Sequence, residues 1–100
     1  MTSAKATQHI DDAHSRTTTW SFADGAETGD HVHAFDYVVI PVTGGTFRVV
    51  ERAGTTHDMD QEAGTPYVGT KGTAHNVINI SGSPAVFVEV ELKASAPPAP

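Results

Sequence analysis

The sequence predicts an all-β fold, either a sandwich or a small barrel of short antiparallel strands. Residues 16–93 are rich in Val, Thr, Phe and Tyr, and glycines interrupt them at short intervals. This composition is typical of strands joined by turns. No segment longer than a couple of turns shows the 3.6-residue period of an amphipathic helix. Seven or eight strands in roughly 78 residues fit a sandwich or small barrel.

The first strands follow from runs of β-branched and aromatic residues. We expect one over residues 17–22, which ends at a turn over 23–25. The next begins at 31–33 and leads into 37–42, where valine and isoleucine predominate. Pro41 lies inside this apolar run. Because proline cannot donate to a strand ladder, it indicates an edge strand or a bulge there.

Paired glycines mark the next turn. Gly44 and Gly45 tolerate positive φ and are flanked by alternating residues, so we expect a hairpin into a strand at 46–51. A second turn is expected at 52–55, and short strands follow near 57–59 and 66–68.

The final strands are expected at 75–80 and 85–92. Alternate side chains of the last strand divide into an aliphatic face and a mixed face, with Val86, Val88, Val90 and Leu92 on one and Phe87, Glu89 and Glu91 on the other. Parity alone does not determine which of the two faces lines the interior.

The chain divides into three parts. Residues 1–15 are polar and have no sustained period, which predicts a flexible N-terminal arm. Residues 16–93 form the predicted domain. Residues 94–100 are rich in proline and alanine, and we expect a disordered tail, since prolines fix φ and lack donors.

Composition excludes several classes of function. The formal charge is −6, with only six Lys and Arg, so binding of nucleic acid is not expected. With no Cys there is neither a thiol nucleophile nor a Cys-based zinc site. No apolar run approaches the roughly 20 residues of a membrane span, and the N-terminus lacks the features of a signal peptide. We therefore expect a cytoplasmic protein without membrane contact.

Three histidines indicate a metal site. His31 and His33 are separated by one residue, and side chains two apart in a strand leave the same face. His75, from another strand, would complete half of a coordination sphere and leave the remainder open. Such an arrangement is typical of a reactive metal site, because structural sites are closed.

The spacing around these histidines resembles the two motifs of the cupin superfamily. The chain has Gly25-x5-His31-x-His33-x3-Tyr37-x6-Gly44, followed by Gly64-x5-Thr70-x-Gly72-x2-His75-x3-Asn79. The family patterns are G-x5-H-x-H-x3,4-E-x6-G and G-x5-P-x-G-x2-H-x3-N, and eight of the ten fixed positions match. The segment from His33 to Gly45 is also similar to small cupins associated with β-alanine degradation.

The resemblance implies a jelly-roll fold, a conical antiparallel β-barrel with a metal ion inside and a small-molecule substrate entering at one mouth. Family members frequently form homodimers, which we therefore expect here. Two positions depart from the motifs. Thr70 replaces the proline, which only softens a turn. Tyr37 replaces a glutamate that is normally a fourth metal ligand, although its strand parity still directs it inward.

This replacement predicts a neutral site of three histidines, His31, His33 and His75, for one divalent first-row metal. A phenol with a pKa near 10 is a poor ligand, so Tyr37 is expected to act catalytically as a nearby hydrogen-bond donor. We favour Fe(II), although such sites also accept Zn, Ni, Mn, Co or Cu.

The expected function is a non-heme Fe(II) dioxygenase-type reaction on a small anionic or chelating metabolite, which makes the chain a metal-dependent oxidoreductase. Two alternatives stay open: a non-oxidative isomerase, epimerase or hydratase, and a non-catalytic small-molecule-binding cupin. A further alternative concerns the ligands, since an inward Glu89 would restore a carboxylate to the site.

Other polar residues are expected to be structural or solvated. Asp36 has the opposite parity to Tyr37 and should face outward. Asn79 is expected to make turn or interstrand hydrogen bonds. His9 and His14 are expected to be solvated in the arm. His57 is expected at the surface of a short strand, and a role in the pocket stays open as the alternative. Five aromatic residues should supply the apolar lining, namely Trp20, Phe35, Phe47, Tyr67 and Phe87.

Overall fold

A computed structural model describes residues 2–93, and within that range the fold is all-β, as predicted. No helix in this part of the chain is long and apolar enough to cross a membrane. Nine strands are formed: β1 Lys5–Asp11, β2 Ser15–Phe22, β3 His31–Val32, β4 Asp36–Pro41, β5 Gly45–Glu51, β6 Thr56–Gln61, β7 Tyr67–Gly69, β8 Ala74–Asn79 and β9 Ala85–Leu92.

The strands form two antiparallel sheets. The larger has the order β1-β2-β9-β4-β7 and the smaller has the order β3-β8-β5-β6. Most neighbours in each sheet are not consecutive in the chain, so the chain crosses repeatedly between the sheets, as in a jelly roll. The sheets do not close into a continuous barrel, but the architecture agrees with the cupin-type fold expected.

The prediction of a hairpin at Gly44-Gly45 is wrong. The turn exists, with φ of 75° at Gly44 and 138° at Gly45. However, β4 pairs with β7 and β9, whereas β5 pairs with β6 and β8. The two glycines therefore carry the chain from one sheet to the other. A Cβ on Gly44 would lie 2.9 Å from the Gln61 carbonyl oxygen, so close packing as well as φ favours glycine there.

Pro41 does not mark an edge strand. It ends β4, which lies between β9 and β7. The next residue, Val42, donates its N–H to the Val86 carbonyl in the β9 direction. Since donors alternate along a strand, the nitrogen of Pro41 faces the other side, where β7 pairing has already stopped at Val39. Proline is tolerated there because no partner strand needs its donor.

The aromatic core fills one end of the sandwich. The rings of Phe22, Phe47 and Phe87 pack with centroid separations of 5.1, 5.2 and 5.7 Å. Along β5 and β8 the pairing runs from Phe47 opposite Asn79 to Glu51 opposite His75. The interior therefore changes from apolar at one end to polar at the other, where the histidines lie.

Asn79 lies at the apolar end of the sandwich and makes the structural hydrogen bonds that the sequence analysis expected. The residue is fully buried, and its amide donates to the carbonyl oxygens of Ala23, at 3.2 Å, and Ser83, at 2.8 Å. Its side-chain oxygen accepts from the Ser81 N–H at 3.0 Å. These bonds satisfy a buried polar side chain and hold two loops together.

The N-terminal region differs from the flexible arm expected over residues 1–15. Lys5–Asp11 forms β1, which is hydrogen-bonded to β2, and β2 itself begins at Ser15. All seven side chains of β1 are exposed, so no buried face imposed a period on its sequence. The tail predicted for residues 94–100 lies outside the described residues.

The mixed face of β9 points inward. Phe87 and Glu91 are 4% and 7% exposed, whereas Leu92 on the aliphatic face is 46% exposed. The aliphatic face therefore covers the outside of the larger sheet, and the two glutamates of this strand lie within the sandwich.

Candidate metal centre

The three predicted histidines meet at the polar end of the sandwich. Pairing of β3 with β8 sets His31 directly opposite His75, and His33 follows just after β3. His33 is buried, whereas the other two are half-buried. The Nε2 atom of His33 lies 3.0 Å from His31 Nε2 and 3.1 Å from His75 Nε2. One nitrogen from each ring thus lies within 4.8 Å of the others, which makes them a possible ligand set.

A backbone contact fixes the tautomer of His31. Its Nδ1 lies 2.9 Å from the Gly29 carbonyl oxygen, which can only accept a hydrogen bond. Nδ1 therefore carries the proton, and the Nε2 lone pair points towards the other histidines. This is the support that metal-binding histidines usually have, since a carbonyl fixes both the ring orientation and the tautomer.

Burial keeps the other two imidazoles neutral. It lowers the pKa of His33 to about 4, and the neighbouring His31 and His75 act in the same direction. Burial likewise lowers the pKa of His75 to about 4, with further contributions from His31 and His57. At neutral pH both rings are therefore neutral, with one nitrogen free to accept, and this is the form that binds a metal ion.

The donor set fits a divalent ion. Facing lone pairs of neutral imidazoles repel one another, so separations of 3.0 and 3.1 Å are favourable only with a proton or a cation between the nitrogens. Three imidazole nitrogens suit first-row metals and leave other coordination positions open.

A cavity of about 180 Å³ adjoins the histidines. Its walls are mainly apolar and include three of the predicted aromatic residues, namely Trp20, Tyr67 and Phe87. Phe47 lies deeper in the core, and Phe35 lies elsewhere, with the Arg16 guanidinium 5.9 Å from its ring centroid. Exposed Glu51 and His57 also line the cavity and mark its mouth.

Tyr37 lies inside the sandwich beside the histidines, as its parity indicated. It is 5% exposed, and its ring stacks on that of His33 with centroids 3.8 Å apart. Burial and the nearby charge of Glu89 raise the pKa of Tyr37 above 10, so the phenol keeps its proton at neutral pH. The stacking holds a hydroxyl donor in the cavity wall.

Gly69 makes room for this tyrosine, and the sequence did not reveal it. Pairing of β4 with β7 sets Gly69 directly opposite Tyr37. A Cβ at this position would overlap the Tyr37 ring, including its hydroxyl oxygen. A side chain larger than the motif's glutamate thus requires a glycine across the strands. Only the pairing register, which sequence spacing did not supply, connects the two positions.

Two acidic residues of β9 also lie at the site. The Glu91 carboxylate is paired with Arg16, whose Nε and Nη2 donate at 2.6 and 2.8 Å. Glu89 lines the cavity. Burial and the charge of Glu91 raise the pKa of Glu89 to about 7, while Arg16 acts in the opposite direction. The alternating pattern of β9 was the available signal, but it did not tell inside from outside.

The remaining polar residues are mostly where the sequence placed them. Asp36 is exposed and accepts a hydrogen bond from the Lys71 N–H at 2.8 Å. His9 and His14 are exposed in and after β1. His57 is also exposed and lies at the cavity mouth, which agrees with both the surface position and the pocket role considered for it.

Fold and site together define a cupin domain with a three-histidine cluster, and the chain belongs to the cupin superfamily. It is 46% identical over 90 residues to the "Beta-alanine degradation protein BauB" of Pseudomonas aeruginosa, covering 90% of this chain and 94% of that protein. No protein-family model matches the chain.

Solved structures of other proteins also have this fold. A cupin domain from Bordetella pertussis superposes with a TM-score of 0.89 at 40% identity, covering 93% of this chain and 96% of that one. A double-stranded β-helix protein from Klebsiella pneumoniae has a TM-score of 0.76 at 20% identity, covering 95% and 81%. The second likeness concerns the fold alone.

Proposed function

We propose that this cupin is a metal-dependent enzyme that binds one divalent ion, with Fe(II) favoured, through His31, His33 and His75. It would catalyse a dioxygenase-type oxidation of a small chelating or anionic metabolite. The observation that carries the proposal is the convergence of three Nε2 atoms, at 3.0 and 3.1 Å, beside a cavity of about 180 Å³. A cavity of this size suits a small molecule.

The chain's own residues would contribute positioning and protection from water. Bound iron would supply an electrophilic centre for the substrate and the redox chemistry with O₂. Tyr37 keeps its proton and would donate a hydrogen bond to the substrate from the wall next to His33. Trp20 and Phe87 lower the polarity of the cavity, which strengthens that hydrogen bond.

The relative's name supports the choice of a small metabolite as substrate. BauB is called a β-alanine degradation protein, and the chain covers nearly all of its length. We infer a role in the breakdown of a similarly small compound, in the cytoplasm and without nucleic-acid or membrane partners.

Oxygen consumption tests the proposed reaction. The protein is loaded anaerobically with Fe(II) and then mixed with O₂ and a panel of thiols and β-dicarbonyls. We expect O₂ uptake with at least one compound, and none with the metal-free protein. Turnover that persists without O₂ would instead favour an isomerase, epimerase or hydratase. Ligand binding unaffected by removal of the metal would favour a binding protein.

We also propose that a second copy of the chain covers the outer face of the larger sheet. Register brings Val38 beside Val68 and Val90, and Ile40 beside Val88, so the outward side chains form a continuous aliphatic strip. Val68 is 71% exposed. Contact of a continuous apolar strip with water is energetically unfavourable, so such a strip indicates a surface that a partner covers.

An isologous pairing of two such strips would bury them in a symmetric dimer. Sedimentation of the wild type should give a dimer, and Val88→Glu should shift it to the monomer. Thr55→Glu, in the turn between β5 and β6, is the control and should not. A monomeric wild type at micromolar concentration would contradict the dimer.

A further inference from the structure

Glu89 is a half-buried residue whose carboxyl has no hydrogen-bond or ion-pair partner among residues 2–93. It lies on the inner face of β9, between Thr18 of β2 and Val39 of β4 in the pairing register. It lines the same cavity as the three histidines. Among residues 2–93 it makes neither a side-chain hydrogen bond nor an ion pair. Partial withdrawal of a carboxylate from water without a partner raises its energy, so a cationic group beside it is favourable.

No cation is paired with Glu89, although Arg16 is near enough to favour its charged form. On β2 this nearest cation is held by Glu91 along the Nε–Nη2 edge of its guanidinium, at 2.6 and 2.8 Å. On β4 the nearest titratable group is Tyr37, which is neutral. On β9 itself the neighbour is Glu91, which is acidic. No Lys or Arg of the described chain lines the cavity.

Glu89 is close enough to the histidines for one small molecule to reach both. Register pairs Val39 with Glu89 and Tyr37 with Glu91, so Tyr37 is the diagonal neighbour of Glu89. Diagonal neighbours across strands are roughly 7–8 Å apart. Tyr37 in turn stacks directly on His33. A molecule with two or three carbons between its ends fits this span and the cavity of about 180 Å³.

We propose that Glu89 binds the ammonium group of a small amine-bearing substrate whose other end, a thiolate or carboxylate, is held at the three-histidine site. This rests on the proposed function and narrows its substrate class. An ammonium supplies the missing counter-charge and forms a charge-assisted hydrogen bond to the carboxylate. A substrate with a second carboxylate is disfavoured, because Glu89 would repel it and Arg16, the cation of the adjoining pocket, is already paired with Glu91.

The test compares three thiols that differ only in the group far from sulfur. Co(II) is used as the probe metal, and binding is followed by thiolate-to-cobalt charge-transfer absorption under argon. The ligands are 2-aminoethanethiol, with a cationic end, propane-1-thiol, with a neutral end of the same size, and 3-mercaptopropionate, with an anionic end. Wild type should bind the aminothiol about tenfold more tightly than propane-1-thiol, with 3-mercaptopropionate weakest.

Two variants assign the preference. Glu89→Gln keeps the size of the side chain and should reduce the ratio between aminothiol and propanethiol affinities to near one. Glu51→Gln removes a carboxylate from the exposed mouth of the same cavity and should retain the ratio. Loss of the preference in Glu51→Gln but not in Glu89→Gln would overturn the proposal, as would equal affinity of wild type for all three thiols.

The metal titration separates this inference from the proposed function. If wild-type protein does not bind Co(II) with the ligand-field absorption of a histidine site, the proposed function fails. If Co(II) binds and the thiols bind without regard to their far ends, the metal centre stands and only the amine assignment to Glu89 fails.

Discussion

His33→Ala should abolish tight metal binding, lowering the affinity for Co(II) or Zn(II) by at least about 100-fold. His33 is the central member of the cluster, since its Nε2 is close to both of the others. Its loss leaves only two half-buried imidazoles, those of His31 and His75, to bind the ion. Calorimetric titration and the metal-to-protein ratio after gel filtration measure the effect.

His57→Ala is the matched control, because it removes an exposed imidazole at the same cavity without touching the three-histidine cluster. It should bind metal as the wild type does. Since the His33 ring stacks on Tyr37, thermal unfolding of metal-free His33→Ala must show that the fold persists. A folded His33→Ala protein with wild-type stoichiometry and affinity would rule out this histidine as a ligand.

Gly69→Ala should destabilise the protein by about 2–3 kcal/mol through overpacking against Tyr37. The added Cβ would overlap the tyrosine ring, and the backbone of β7 is held there by pairing with β4. The φ of Gly69 is not positive, so the backbone conformation contributes no strain on substitution. Urea unfolding measures the change in free energy.

A double-mutant cycle identifies the cause. In a Tyr37→Ala background the ring is absent, so Gly69→Ala should then cost less than about 0.5 kcal/mol, and the two changes should be strongly non-additive. An equal cost in both backgrounds would show that the glycine serves something other than the tyrosine. Because the Tyr37 ring lies on His33, Gly69→Ala should also weaken metal binding.

Strand positions were largely predictable because turns and β-branched runs are local signals. The expected strands correspond to β2–β9, with the strand expected to begin at 31–33 and lead into 37–42 divided into β3 and β4, and only β1 was missing. It was missed for a physical reason: its side chains are all exposed, so pairing with β2 depends on backbone hydrogen bonds, which leave no hydrophobic pattern. Pairing was less predictable, as the connection at Gly44-Gly45 demonstrates, since a glycine turn favours reversal whichever sheet the next strand joins.

The sequence by itself determined the class of fold and the histidine cluster. Strand parity directs His31 and His33 to one side, which is a short-range property of a chain with a period of two. The resemblance to the two cupin motifs placed His75 with them. Strand parity also directed Tyr37 inward, where burial and stacking on His33 now define its setting.

Tertiary structure alone decided what surrounds the cluster. Parity divides β9 into two faces but does not say which is inside. Packing placed the mixed face, with Glu89, towards the cavity and the aliphatic face on the outside. Likewise, nothing local connects Gly69 to Tyr37, because their contact depends on the register of two strands about 30 residues apart in the chain. Strand periodicity and the two motifs thus specified the three candidate ligands, whereas the pairing of distant strands determined the shape and charge of the space that a substrate would occupy.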